Sequence, residues 1–233
     1  MTLHRLDNYH QDAGLLAEIK ALLAPSYQTD DPTAFKSFAQ PVPGMEYVLY
    51  TLRDELGNLA AFNAFGYHRI DEIECCYLGM TVTHRDWQGH GLMQYLHRIC
   101  FMECCERERH VTTRIPIYAT TAKSTAFAWL VQAMAVAAPD LTGYCSPKSI
   151  QWLRKVAATQ YPQAAWEFAT PYVLRHAAPP NVRYSEPEWQ RVQQAAARQP
   201  ASFFNAAQID ERNGDRMLVV GYAPDELVLA PAI

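Results

Sequence analysis

The chain has 233 residues, 49% of them hydrophobic, with a formal net charge of −4 and a pI near 6.0. That length and apolar content suit one domain, or one with a substantial appendage, with a sizeable core, while the acidic balance and the lack of a basic tract argue against nucleic acid as a main partner. No stretch approaches the ~20 continuous apolar residues of a membrane span and no charged-then-apolar leader opens the sequence, so a cytoplasmic protein is expected.

Residues 25–44 are rich in Pro, Thr, Asp, Gln and Phe and read as a loop-rich segment. From Met45 to Leu52 the β-branched and aromatic residues predict a strand. Asp54-Glu55-Leu56-Gly57-Asn58 supplies a hairpin turn, Leu59 to Tyr67 a second strand, and Glu72 to about Thr83 a third. Period-two alternation places Glu72, Glu74 and Cys76 on one face of that third strand and Asp71 with the odd positions on the other. Glycine at position 79 fits a β-bulge.

The polar run Thr83 to Gly91 then leads into an apolar-periodic helix from Leu92 to about Glu108. Its predicted core face carries Leu92, Tyr95, Leu96, Ile99, Cys100, Phe101 and Met102. A helix start exposes N–H groups with no intrahelical partner and carries roughly half a positive charge. Gly89 and Gly91 remove Cβ atoms from that end and permit positive φ, and Gln88 and His90 add side-chain donors beside it. The junction is therefore a candidate anion seat, or else a tight strand-to-helix turn. It is not a P-loop, since no Gly-Lys-Ser/Thr follows, and Gln94 breaks a Gly-x-Gly-x-x-Gly pattern.

Further strands and helices follow: a buried strand at Thr113–Ala119, a helix from about Ser124 to Val136, helices at Pro147–Gln160 and Glu186–Arg198, and a strand at Met217–Tyr222. The six cysteines (75, 76, 100, 104, 105 and 145) match neither a disulfide framework nor a Cys-x-x-Cys knuckle. They read as small buried hydrophobes, and no metal is expected.

On the order strand–strand–strand–glycine loop–helix–strand–helix, and on Gln88-Gly89-His90-Gly91-Leu92-Met93, the chain resembles the GCN5-related N-acetyltransferase (GNAT) superfamily from about Leu15 to Val136. The family motif is Arg/Gln-x-x-Gly-x-Gly/Ala, and Met93 departs from its last, small position. The resemblance implies an α/β fold with a mixed, mostly antiparallel sheet flanked by helices, a single domain over 1–233, and 139–215 as an insertion or lid. It further implies acetyl-CoA or another acyl-CoA, bound along Met80, Thr81 and Val82 and at Gln88, Gly89, His90, Gly91, Leu92 and Met93. Thr121 and Ser124 offer hydroxyls to the pantetheine amides or to the helix start as a cap.

The expected reaction is N-acyl transfer to an amine. Glu74, with Glu72 beside it, is the candidate base, or else the two form a solvated strand edge or pair with Arg69 or Arg53. The family's usual tyrosine acid is missing after the fifth strand, so that Tyr118 or Tyr144 substitutes or the thiolate leaves without help. The acidic residues suit a small cationic amine. A protein or peptide amine, and an acyl-CoA-binding module without catalysis, stand as the other readings, and a homodimer is compatible with each.

Overall fold

The computed structural model describes residues 1–7, 9–27, 44–178, 183–198 and 202–226. The segment 28–43, which holds most of the loop-rich stretch before the first expected strand, lies outside the described residues, as does Pro179-Pro180.

Eight strands form one sheet. In chain order the elements are β1 (Thr2–Leu6), α1 (Ala13–Leu23), β2 (Glu46–Arg53), β3 (Leu59–Ile70), β4 (Ile73–Thr83), α2 (Leu92–Glu108), β5 (Ile117–Thr121), α3 (Ser124–Ala133) and β6 (Ala135–Ala138). They continue with α4 (Pro147–Gln160), β7 (Val173–Leu174), α5 (Glu186–Arg198), α6 (Ser202–Ala206) and β8 (Arg216–Tyr222). The sheet order is β1-β2-β3-β4-β5-β8-β6, with β7 pairing β8, and only the β4–β5 pair is parallel. This is the mixed, mostly antiparallel α/β architecture that the element order implied.

The expected meander is present. Asp54 Oδ1 accepts from Leu56 N and Asn58 N at 2.9 and 2.8 Å, and Gly57 takes φ +84°, so the β2–β3 turn is built by the residues that marked it. β3 is central and buried along most of its length, because both faces of the sheet are covered. On one face α2 and α3 bring Leu92, Leu96, Cys100, Phe101, Phe127 and Leu130 against Phe65, Cys76, Leu78, Ile117 and Val219. On the other, α1 sets Leu15, Ile19 and Leu23 on Leu49, Phe62 and Ala64, while α4 sets Leu153, Val156 and Ala157 beside Cys75, Tyr118 and Leu218.

Several elements differ from the reading of the sequence. β1 has four exposed residues out of five, so no apolar alternation marks it, and pairing to β2 alone defines it. β5 begins at Ile117, after Pro116 rather than before it. The helix from Ser124 stops at Ala133, and after Met134 the chain enters the short β6, whose second residue, Val136, takes φ +52°. In α2 the predicted core residue Met102 is 41% exposed, whereas His97 and Cys104 are buried. No helix among the described residues is long and apolar enough to cross a membrane.

Candidate active site

β4 and β5 are paired only at Cys76–Ile117 and Tyr77–Tyr118 and then separate. The reason lies in β4. Asn63 faces Thr81 and Phe65 faces Leu78, so Ala64 opposes both Gly79 and Met80, which is a β-bulge at the expected glycine. A Cβ at Gly79 would lie 2.5 Å from the Ala64 carbonyl oxygen, so the close approach requires glycine. The bulge also changes the parity of the strand. Before it, Cys76 and Leu78 face α2; after it, Thr81 does, while Met80 and Val82 pack beside the α1 cluster. The amide of Cys76 donates to Pro116 across the β5 side and that of His84 to Ala60 across the β3 side. Alternation from those two bonds puts the N–H groups of Leu78 and Thr81 on the splayed edge.

The side chain of Thr81 is occupied. Its Oγ1 accepts from Asn63 Nδ2 at 2.8 Å and lies 2.6 Å from His97 Nε2. Asn63 is fully buried and His97 is 5% exposed; burial drives His97 down to about 3, so the ring is neutral. Of Thr81, only the backbone faces the cleft.

A 3-10 turn at Arg85–Trp87 carries β4 into the glycine loop. Gly89 and Gly91 take φ +84° and +76°, and among the described residues nothing lies within 4 Å of a Cβ built on either, so the helix start is open there. Gly91 is the N-cap of α2 and no side chain caps it. The first-turn amides at Leu92 and Met93 thus point into free space. Gln88 Nε2 donates back to Thr83 O at 3.3 Å, and His90 Nδ1 sits 3.2 Å from Gln88 O with its ring against Trp87. Met93 is half-buried.

Across the splay, Thr121 Oγ1 accepts from Lys123 N at 3.0 Å, which forms a turn just before α3 rather than a cap, since no side chain caps the helix at Lys123. The Ser124 hydroxyl is buried without a partner among the described residues. Helix α5 spans the two lips: Arg191 donates to Gln88 Oε1, and Lys123 Nζ donates to Glu188 Oε1 at 3.3 Å. The 139–215 segment therefore contributes twice, with α4 filling the core on one face and α5 bridging the open end of the β4–β5 pair.

Tyr118 sits at the last β4–β5 pairing, 2% exposed, its Oη 2.7 Å from His68 Nε2. Burial, with Tyr161 and Tyr77 nearby, holds its pKa above the ordinary phenol range, and burial pulls His68 below the usual imidazole value. The pair is therefore neutral, and Tyr118 Oη is the donor in the tautomer that carries the His68 proton on Nδ1. His68 was not singled out in the sequence; it follows the largely apolar run Leu59–Tyr67 and precedes Arg69, and nothing local sets it apart. A cavity of about 530 Å³ reaches His68, lined also by Glu46, Tyr67, Arg69, Glu74 and Gln160.

The two glutamates are separated. Glu74 is on β4, facing α2, and accepts from Arg107 Nη1 at 3.2 Å; Arg107 also bonds Glu46. Glu72 does not share its strand face. It lies in the β3–β4 turn at φ +63°, with its side chain 92% exposed beside Arg69, because β4 begins one residue later. Tyr144 is 65% exposed in a loop.

No protein-family model matches the sequence, and no curated protein does. Among solved structures, one of the NatC complex bound to Gag peptide and CoA is similar at 16% identity over 58% of this chain and 84% of that one, with a TM-score of 0.43. A ribosomal-protein-alanine N-acetyltransferase from Brucella melitensis biovar Abortus 2308 is similar at 21% identity over 46% and 74%, with a TM-score of 0.35. A structure of AtaTR bound with acetyl-CoA follows at 9% identity, 57% and 85%, with a TM-score of 0.39. The strand order, the splayed parallel pair and the open helix start at Gly91 are those of the GNAT-like mixed α/β architecture that the sequence led one to expect.

Proposed function

We propose that this chain transfers an acyl group from acetyl-CoA or another acyl-CoA to an amine of a small-molecule acceptor. The observation that carries the reading is the open, uncapped N-terminus of α2 beside the unpaired edge of β4. Together they offer a seat for a pyrophosphate and a ladder of N–H groups for an extended amide chain. In this assignment the amides around Gly89, Gly91, Leu92 and Met93 hold the phosphates, with Gln88 and His90 at the rim. The backbone of Met80, Thr81 and Val82 runs beside the pantetheine, and Ser124 supplies a hydroxyl that has no partner among the described residues. The outward N–H of Leu78 or Thr81 faces the thioester oxygen and stabilises the charge that develops there.

The acceptor enters by the cavity at His68, lined also by Glu46, Glu74 and Arg69. As the C–N bond forms, the amine proton passes to Tyr118 Oη while Tyr118 gives its own to His68 Nε2; as the C–S bond breaks, a proton returns by the same route to the sulfur. Amine and thioester become amide and thiol, with no proton left over. Glu74 and Glu72 enter as electrostatic neighbours of the cavity mouth rather than as the base, since Arg107 and Arg69 already pair them.

Two measurements test this. Acetyl-CoA should raise the melting temperature in step with its concentration, the stabilisation reaching about 2.7 kcal/mol at a hundredfold excess over Kd. Tyr118→Phe should retain that shift and lower kcat on an amine panel by roughly 10²-fold or more. Absence of any shift with coenzyme A or acyl-CoA overturns the assignment of the seat. A Tyr118→Phe variant with unchanged kcat overturns the proton route alone.

A further inference from the structure

Three buried thiols converge where β4 meets α2. Cys76 Sγ lies 3.8 Å from Cys100 Sγ, and the sulfurs of Cys76, Cys100 and Cys104 are all within 4.8 Å of one another. Cys100 and Cys104 are one helical turn apart on α2, and Cys76 comes from the strand beneath, so the cluster needs the folded sheet-on-helix contact. Beside them stands Tyr67 of β3, whose buried hydroxyl is 3.6 Å from Cys104 Sγ. A buried tyrosine hydroxyl ordinarily finds an oxygen or nitrogen partner; here it turns to sulfur.

The Cys76–Cys100 and Tyr67–Cys104 separations match one coordination polyhedron, and the remaining sulfurs lie close enough to complete it. With Zn–S of about 2.3 Å and Zn–O of about 2.0 Å at tetrahedral angles, two sulfur ligands stand about 3.8 Å apart and a sulfur and an oxygen about 3.5 Å. We propose that Cys76, Cys100 and Cys104, with the Tyr67 hydroxyl as a fourth donor, form an S₃O site for a thiophilic divalent cation, Zn²⁺ being the ion its geometry fits. Binding releases thiol protons to solvent. With two released, the metal charge is balanced and the apolar core holds no net charge, which a buried cation would otherwise make costly. All three thiols are wholly buried, so the ion is taken up as β4 and α2 come together, and it ties the two elements that carry the glycine loop. Among the described residues this is the one cluster of metal-ligating side chains, and the spacing of its cysteines, 24 residues and then 4, explains why no sequence knuckle marked it.

The full chain, refolded under reducing conditions with excess Zn²⁺ and then desalted, should retain about one zinc per chain. Refolded with Co²⁺, it should show sulfur-to-cobalt charge transfer in the near ultraviolet and the strong visible bands of a four-coordinate ion. Cys100→Ala and Cys104→Ala should each lose the metal, and Cys105→Ala/Cys145→Ala should keep it; circular dichroism identifies the variants that fold. A Tyr67→Phe chain should keep its thiolate bands and shift the visible ones. Wild-type chain that refolds and retains no zinc, a cobalt spectrum without charge-transfer bands, or unchanged metal content in folded Cys100→Ala and Cys104→Ala overturns the site.

Discussion

The His97–Thr81–Asn63 network makes stability depend on pH in a calculable way. His97 lies on α2 with its Nε2 on Thr81, its Nδ1 unpaired among the described residues, and its ring against Trp129. Burial lowers its pKa from 6.5 to about 3. The folded protein thus keeps the ring neutral over a range in which the unfolded chain takes up a proton. Below pH 6.5 the unfolded state binds more protons, so stability is fully present above that value and is lost as pH falls toward 3. The loss amounts to about 2 kcal/mol by about pH 5 and approaches about 5 kcal/mol below about pH 3. Urea unfolding at pH 7.5 and pH 5 on the wild type and on His97→Gln isolates this contribution, because the other titrating groups are common to both. The wild type should lose about 2 kcal/mol more than the variant between those pH values. Equal losses in the two proteins would refute the buried neutral histidine.

Other perturbations follow from the same geometry. Gly79→Val forces a side chain against the Ala64 carbonyl and should cost about 1–3 kcal/mol in denaturant unfolding; a neutral result removes the bulge as the cause of the splay. Gly91→Ala meets open space but positive φ, so it should cost about 1–2 kcal/mol of stability and also raise the Kd for coenzyme A in a titration. Unchanged affinity would separate the loop from the phosphates. Arg191→Ala removes the α5 bond to Gln88 and should quicken coenzyme A association in stopped flow, an effect that an unchanged rate constant would rule out. Thr81→Val leaves the buried Asn63 amide and His97 without their shared partner and should cost about 2–4 kcal/mol.

The meander, the glycine loop, α2, α4, α5 and β8 were legible because their residues carry local signals: a hairpin turn, positive-φ glycines, and apolar periods of two or 3.6. β1, β6 and β7 were not. Their strand character comes from pairing to a neighbour, and their side chains show no alternation of their own. At the site, Gly79, Gly89 and Gly91 could be read directly, since each answers to backbone geometry. The fate of Glu74 could not, because it depends on Arg107, 33 residues away on another element. Nor could His68 be joined to Tyr118 across β4, since that contact exists only once the parallel pair has formed. Thr81 was assigned to the strand lip correctly in position, but the bulge reverses which way its hydroxyl points.

Strand β8 is inserted between β5 and β6, and Thr121 finds its partner Met217 almost a hundred residues later in the sequence. Until that partner arrives, β5 has an unsatisfied outer edge of apolar character, the kind of template on which neighbouring polypeptides nucleate. Closure over so long a span is slow relative to the local hairpins, so nascent chains should populate a half-built sheet and depend on temperature and concentration for their yield.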